Sequence, residues 1–572
     1  MHRTWHLKSP STTITAEAAA KLALHPVTAR VLAARGLDDG QAAAFLDTSL
    51  ASLADPWLMK GMGAAVDRIL AARLGGERVC IYGDYDVDGI TSTTLMVSFL
   101  RAAGLDCSYF IPDRFADGYG LNQRSLADIT SQGFTLVIAV DCGITAMAEA
   151  EFCHSQGCDL IVVDHHTPGD RLPAAAAILN PLQPGCDYPF KSLAGVGVAF
   201  CLLIALRRKL RQAGAFEDGA GPDLREYLDL VALGTIADVV PLTGQNRILV
   251  HQGLKRLSDS GRIGVNALKQ VAGVQGRVGC GQVGFRLAPR LNAGGRMESA
   301  APGVELLLHT DPARAQAIAA DLDAANAERQ QTERRILDQA VAMLEASGRY
   351  PDCRTIVLAS PDWHQGVVGI VASRLVEMYN RPTILLSVQP DGSVKGSGRS
   401  ISGFHLLEAL TCCRETLGRF GGHRHAAGVG LNMDTVDVFA ARFEEVAAGL
   451  LSESDLIPRL QIDARVEPQE VTLALASDMK RLEPFGAGNP EPLLLMEHVQ
   501  VVSRRVVGEG HLRLRLSAAG FTFDGIAFGM AGQQTDGPLD IAFFPELNQW
   551  NGSTALQLRI KAMRPVPCLS GC

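Results

Sequence analysis

Residues Ile161 to Asp170 read IVVDHHTPGD. Three β-branched apolar residues run straight into an acid and two adjacent histidines, and a proline–glycine turn follows. A polar turn needs none of these three ionisable groups, so their place at the tip of a buried strand asks for a reason. Two neighbouring stretches end in the same way. RVCIYG runs into GDYDVDG, with Asp84, Asp86 and Asp88, and FTLVIAVDCG delivers Asp141. The helix-like stretches GITSTTLMVSFLRAAG and TAMAEAEFCHSQG lie between. Short apolar runs alternating with helices predict an α/β fold whose parallel sheet is covered on both faces. Such sheets bind ligands at the carboxyl ends of their strands.

In that arrangement the acidic strand ends converge. A further acid, Asp238, lies in LVALGTIADVVPL, where a lone carboxylate is costly without a partner. Taken singly, Asp84 fits a turn cap, Asp141 an Asx-turn and Asp238 a buried hydrogen-bond acceptor. Gathered on one edge, carboxylates repel one another unless cations compensate, and the set points to metal. Oxygen ligands with one or two imidazoles suit Mg2+ or Mn2+. Two such ions roughly 3.5–4 Å apart make a clamp for phosphoryl chemistry.

The remainder of the chain sorts around this centre. Its 572 residues predict three or four domains, and 47% apolar with 20% charged residues is ordinary for a folded soluble protein. A net charge of −8 shows no global preference for nucleic acid and leaves the decision to local basic surface. The 13 cysteines are scattered, without a C-x-x-C pair, as expected of free thiols in a reducing cytosol. MHRTWHLKSPSTTITAEAAAK has no continuous apolar stretch, so no signal peptide is expected. The run Leu193 to Leu206 is short for a membrane span and fits a buried core helix.

The expected organisation is a helical segment at 1–75 and a parallel-sheet domain at 76–302. A long connector helix at 303–350, a second α/β domain at 351–450 and a β-barrel at 455–572 follow. Thr310 is read as the cap of the connector, Pro312 as part of its first turn and Gly348 as its end, giving a rod of roughly 54 Å. HLRLRL alternates strictly, the mark of a half-buried strand, and several such strands suggest an OB-fold. Arg504, Arg505, Arg513, Arg515, Arg559 and Lys561, interleaved with Phe521, Phe523 and Trp550, have the composition of a surface that grips single strands.

GDYDVDG, VDCG, DHH and GTIADVVPL, in that order, resemble the DHH phosphoesterase superfamily. PRLNAGGRM (289–297), WHQGVVGIVASRL (363–375), KGSGRSISGFHL (395–406) and FGGHRHAAG (420–428) narrow the likeness to its RecJ exonuclease family, over nearly the whole chain. The resemblance implies Asp86, Asp88, Asp141, His165 and Asp238 as ligands of two Mn2+ or Mg2+ ions, with Asp141 as bridge. Asp84 and His166 would complete the catalytic set, His166 touching the scissile phosphate and Asp164 orienting a histidine. Ser397 and Arg399, with Arg114, resemble a pocket for a 5′-terminal phosphate. Arg290, Asn292 and Arg296 would contact sugar or backbone, and His364, Ser373 and His423 match positions of the same groove. One departure is Gly294-Gly295, where RLNAAGR is the family pattern; it would loosen a loop aiming Arg296.

The implied activity is 5′-to-3′ digestion of single-stranded DNA to 5′-mononucleotides, in recombination and repair. The implied partners are a single-strand DNA-binding protein and a RecQ-type helicase, around a monomer in the cytoplasm near the nucleoid. Two other readings belong to the same superfamily. One is an enzyme for short oligonucleotides, whose kind resembles the two-domain portion alone. The other is a non-catalytic DNA-binding scaffold, whose kind has lost the ligands that this chain retains.

Overall fold

The apolar runs that end in acids are the strands Arg78–Tyr82, Leu136–Val140 and Asp159–Val163. In the computed structural model, which describes residues 3–566 apart from 115–117, 119, 217–220, 298 and 551–552 and only the backbone of 549–550, they lie side by side. Asp106–Phe110 flanks them on one edge and Ala177–Leu179 on the other, all parallel. Tyr82 pairs with Ala139, and Val140 with Val163. Carried one or two residues on, that register sets Asp84, Asp141 and Asp164 in one row beyond the sheet. Every residue of Leu136–Val140 is buried, as a strand covered on both faces requires.

Helix Val87–Ala102 starts directly in the acidic loop, with Asp86 as its cap accepting the amides of Asp88 and Gly89. Helices Gly195–Gln212 and Leu228–Ala237 pack on it in the largest apolar core. The run Leu193 to Leu206 therefore serves as a core helix, and among the described residues no helix is long and apolar enough to cross a membrane.

The connector is Pro312–Ser347, 36 residues, closed by Gly348 at φ 62. Its cap is Asp311, not Thr310: the Asp311 carboxylate accepts the amides of Ala313 and Arg314, and a negative group there also meets the helix dipole favourably. Residues expected at its start instead form a separate helix, Ala301–Leu308. Ala315, Ile318, Ala319 and Leu322 bury into the first domain's core, while Ile336, Ala340 and Leu344 bury into the second's. The polar middle carries the buried pair Asn326 and Arg329.

The second domain is a mixed sheet in the order Arg419–Gly422, Ala426–Asn432, Ser393–Arg399, Thr383–Val388, Ile356–Ser360. Beyond it, Leu494–Val507, His511–Ala518, Phe521–Ala527, Ser553–Pro565 and Leu539–Trp550 close into a five-stranded barrel through pairing of the first with the last. Its cations divide. Arg515 pairs with Asp524, Arg559 with Glu491 and Glu546, and Arg504 bonds Thr535; Arg505 and Arg513 stand exposed and directly opposite each other. Phe523 is a core residue, Phe521 is exposed, and the Trp550 side chain lies outside the described residues.

The first 75 residues depart from a plain helical segment. Thr4–Leu7 is a strand parallel to Arg459–Ile462. Val27, Val31, Leu32 and Ala42 pack into the barrel's core, whereas helix Met62–Gly75 packs against the first domain.

Candidate metal centre and substrate groove

Both oxygens of Asp88 are held by backbone. Gly195 N donates to Oδ2 at 2.6 Å and Val196 N to Oδ1 at 2.9 Å. His165 Nε2 lies 3.2 Å from Asp141 Oδ1, 3.5 Å from Asp238 Oδ2 and 4.0 Å from Asp88 Oδ2. Three sets of donor atoms each fall within 4.8 Å: Asp88, His165, Asp238; Asp84, Asp86, Asp141; and Asp141, His165, His166. Asp141 belongs to two of them. Its backbone sits at φ 61, a left-handed conformation that costs a non-glycine residue about 1–3 kcal/mol and persists only where the surroundings over-determine it. Its amide bonds Val163 O at 2.9 Å.

Asp84 Oδ1, Asp141 Oδ1, Asp238 Oδ2 and His165 Nε2 are buried with no hydrogen-bond partner among the described residues. Burial, then the neighbouring Asp86 charge, pushes Asp88 up to about 7; burial, then Asp88, pushes Asp238 up to about 9. Asp84 and Asp141 stand well above the usual carboxylate range for the same two causes. Burial and the charge of His166 push His165 down to about 4, leaving it neutral and ready to ligate. A pair of divalent cations removes this repulsion, and carboxylates with an imidazole form a donor set suited to Mn2+ or Mg2+. The residues present fit such ions.

Above the centre the two domains meet at Arg296, whose Nη1 donates to Gly366 O at 3.2 Å. Burial, then the charges of Arg114, Arg329 and Arg399, lowers Arg296 to about 10, so four guanidiniums converge here. Arg114 also lies over the Tyr85 ring, 5.1 Å from its centroid. Arg399 Nη1 donates to Ser397 Oγ at 2.9 Å. A Cβ at Gly369 would come within 2.8 Å of Ser397 Oγ, which places the first turn of helix Val368–Tyr379 against this pair. His364 is half-buried, and Arg114 is among the charges acting on it. Ser373 bonds back to Gly369 O on the same helix.

Three expected substrate residues sit apart from this cluster. Arg290 pairs with Asp323 of the connector at 2.8 Å, Asn292 lines an adjoining cavity, and His423 is exposed in a hairpin turn one strand from Ser397 and Arg399. RLNAGGR is no loop: it lies in helix Ala288–Met297. A Cβ at Gly294 would fall 2.5 Å from Ser299 O, and one at Gly295 2.6 Å from Tyr85 O. Glycine at 294 thus lets the following chain close over a helix, where a loop was expected.

Two features escaped the sequence. The Gly195 and Val196 amides that fix Asp88 lie in LAGVGVAF, where paired glycines opening an apolar run were the available signal. Arg329, the fourth guanidinium, is hidden in a helix rich in charged residues.

Residues 78–235 match the DHH family, N-terminal domain; 353–449 the DHHA1 domain; and 462–562 the RecJ OB domain. The chain is 40% identical to the single-stranded-DNA-specific exonuclease RecJ of Bacillus subtilis, covering 97% of this chain and 70% of that protein. It is 39% identical to the protein of that name from Escherichia coli, covering 95% and 96%. The crystal structure of RecJ in complex with Mn2+ from Thermus thermophilus matches with a TM-score of 0.83 at 33% identity, covering 99% of this chain and 80% of that one.

Proposed function

The chain belongs to the RecJ family of single-stranded-DNA-specific exonucleases, and on that footing we propose that it digests single-stranded DNA from the 5′ end. Metal-dependent phosphodiester hydrolysis would release 5′-mononucleotides, in recombination and repair. The observation that carries this function is the set of orphaned buried ligand atoms facing a groove where four arginines converge.

Asp86, Asp88, Asp141, His165 and Asp238 would hold the metals, with Asp141 shared and Asp84 beside it. Bound there, two Mn2+ or Mg2+ ions supply an activated water and stabilise charge on the phosphate oxygens. His166, kept cationic by Asp164, donates a hydrogen bond to the scissile phosphate. Ser397, Arg399 and Arg114 take the terminal 5′-phosphate, where a planar fork of donors suits a dianion. Arg296, Arg290, Asn292, His364, Ser373 and His423 line the path of the strand between the domains. A groove that clamps one backbone excludes a duplex. The division proposed is a DHH domain, a connector, a DHHA1 domain and an OB-fold, the last gripping the incoming strand.

Digestion of 5′- and 3′-labelled single- and double-stranded DNA with Mn2+, by the native chain and by Asp141→Ala, tests the proposal. Early loss of the 5′ label, poor cutting of duplex and an inactive but folded variant are expected. Cutting by the variant, or equal cutting of duplex, would overturn it. A long oligonucleotide compared with a dinucleotide and pyrophosphate separates it from the short-oligonucleotide enzymes. The same kinship supports a monomer near the nucleoid that works with a single-strand DNA-binding protein and a RecQ-type helicase.

A further inference from the structure

Phe285 is 81% exposed, the most exposed phenylalanine among the described residues. It sits on the π-helical turn Val283–Leu287 that leads into helix Ala288–Met297, and such turns are frequent at functional sites. Val239, 69% exposed and at φ 62, lines the same cavity as Phe285. A β-branched residue in the left-handed region is a strained outlier, and this one directly follows Asp238. Both side chains line one cavity of about 500 Å3, together with Asn292, Arg296, Arg334 and Arg374. Arg374 is tied to Glu333 at 3.2 Å, and Arg296 joins the cavity to the groove.

Neither apolar group is held out for the core's sake, since each is largely in solvent. What they share is a wall beside a candidate metal ligand, among Arg296, Arg334 and Arg374 and the carboxylate of Glu333. An aromatic face beside arginines is the make-up that receives unpaired bases without reading their sequence. The cavity's size falls within the range of small-ligand sites.

We propose that Phe285 and Val239 form a nucleobase subsite, with a base near the scissile bond lying on the Phe285 ring and Val239 packing against its edge. The proposal rests on the function given above and deepens it. A base in a duplex would have to unpair and unstack to enter, so the subsite adds to single-strand preference independently of groove width. It accepts all four bases, because each has a π-face.

The test pairs a missing base with a missing ring. Single-turnover digestion would use 5′-phosphorylated oligonucleotides in which one abasic residue is moved stepwise from the 5′ end, for the native chain, Phe285→Ala and Phe285→Trp. At one position the abasic residue slows the native chain roughly 5- to 100-fold, the size of one stacked base. Phe285→Ala is slowed by a similar factor on intact DNA and no longer responds to the abasic residue, while Phe285→Trp behaves like the native chain. An abasic penalty that persists in Phe285→Ala, or none at any position in the native chain, would overturn the subsite. No cutting of intact single strands by the native chain would instead defeat the exonuclease function itself. Because the ring is exposed, the variants should melt with the native protein, and that control is read alongside.

Discussion

Asp164 Oδ1 lies 2.7 Å from Nδ1 of His166. The same carboxylate accepts the amides of Ile144, His165 and His166. Burial alone would raise Asp164 and lower His166, but the hydrogen bond between them and the charges around each together outweigh it. Asp164 falls below the usual carboxylate range and His166 rises to about 9. An aspartate whose two oxygens both accept hydrogen bonds thus sits near Asp84, Asp141 and Asp238, each with one orphaned oxygen, and it charges a histidine. Asp164→Asn is expected to keep the fold and metal binding while lowering kcat about 10- to 100-fold, as loss of an orienting partner does. The alkaline limb of its pH–rate profile should move to lower pH. An unmoved limb would show that His166 does not depend on Asp164 for its charge.

Without metal, the centre is expected to lose stability as pH rises from 7 to 9. Asp88 at about 7 and Asp238 at about 9 lie above the ~3.9 of an unfolded aspartate. The folded state therefore binds more protons across this window, and stability falls with pH. His166, raised to about 9, contributes in the same direction. Melting temperatures in chelator should drop between pH 7 and 9, and Mn2+ should flatten or reverse the trend by replacing protons. A chelated protein that melts higher at pH 9 than at pH 7 would contradict this.

The strand-end aspartates were legible because a parallel sheet turns chain order into spatial order: three apolar runs, each ended by an acid, can finish only at one edge. Gly348 marked the end of the connector for an equally local reason. What stayed hidden was non-local. Nothing near Val27 or Val31 announces that they join the core that holds Leu494 and Leu512, since those residues lie more than four hundred positions on. The RLNAGGR helix reads as a loop in sequence because paired glycines weaken helix propensity, while their close approach to Ser299 and Tyr85 is tertiary. Arg515 and Arg559 resemble DNA-gripping residues because composition does not show that carboxylates already face them.

Gly195 admits no side chain. A Cβ there would fall 2.6 Å from Asp141 Oδ1, while the Gly195 amide holds Asp88. Gly195→Ala should displace the shared carboxylate and weaken Mn2+ binding about 10- to 100-fold, measured by calorimetry, with secondary structure unchanged. Gly63→Ala, where a Cβ meets nothing within 4 Å, is the control.

Ser397 and Arg399 should make the chain prefer 5′-phosphate over 5′-hydroxyl ends. Arg399→Ala is expected to erase that preference and slow phosphorylated substrate about 10- to 100-fold, the scale of hydrogen bonds to a charged group. Arg399→Lys should recover only part, because an ammonium lacks the planar fork. Matched oligonucleotides differing only at the 5′ end provide the measurement.

Arg505 and Arg513 face each other across neighbouring strands, a like-charge pair that costs stability unless an anion lies on it. Replacing either with alanine should weaken binding of single-stranded DNA and reduce the slope of log affinity against log salt by about 0.7 for each phosphate no longer neutralised. Arg515→Ala, already paired with Asp524, should leave the slope unchanged. Anisotropy titrations across a salt series distinguish the two.

The strand Thr4–Leu7 and the helices after it complete a domain whose other parts begin near Arg459. On the ribosome, these early residues wait while more than four hundred others are made, roughly 20–80 s at 5–20 residues per second. For that time Val27, Val31 and Leu32 have no barrel to bury them. The nuclease domains, complete by Leu450, are free to fold first. The newborn chain therefore gains its cutting centre before it gains the surface proposed to feed it.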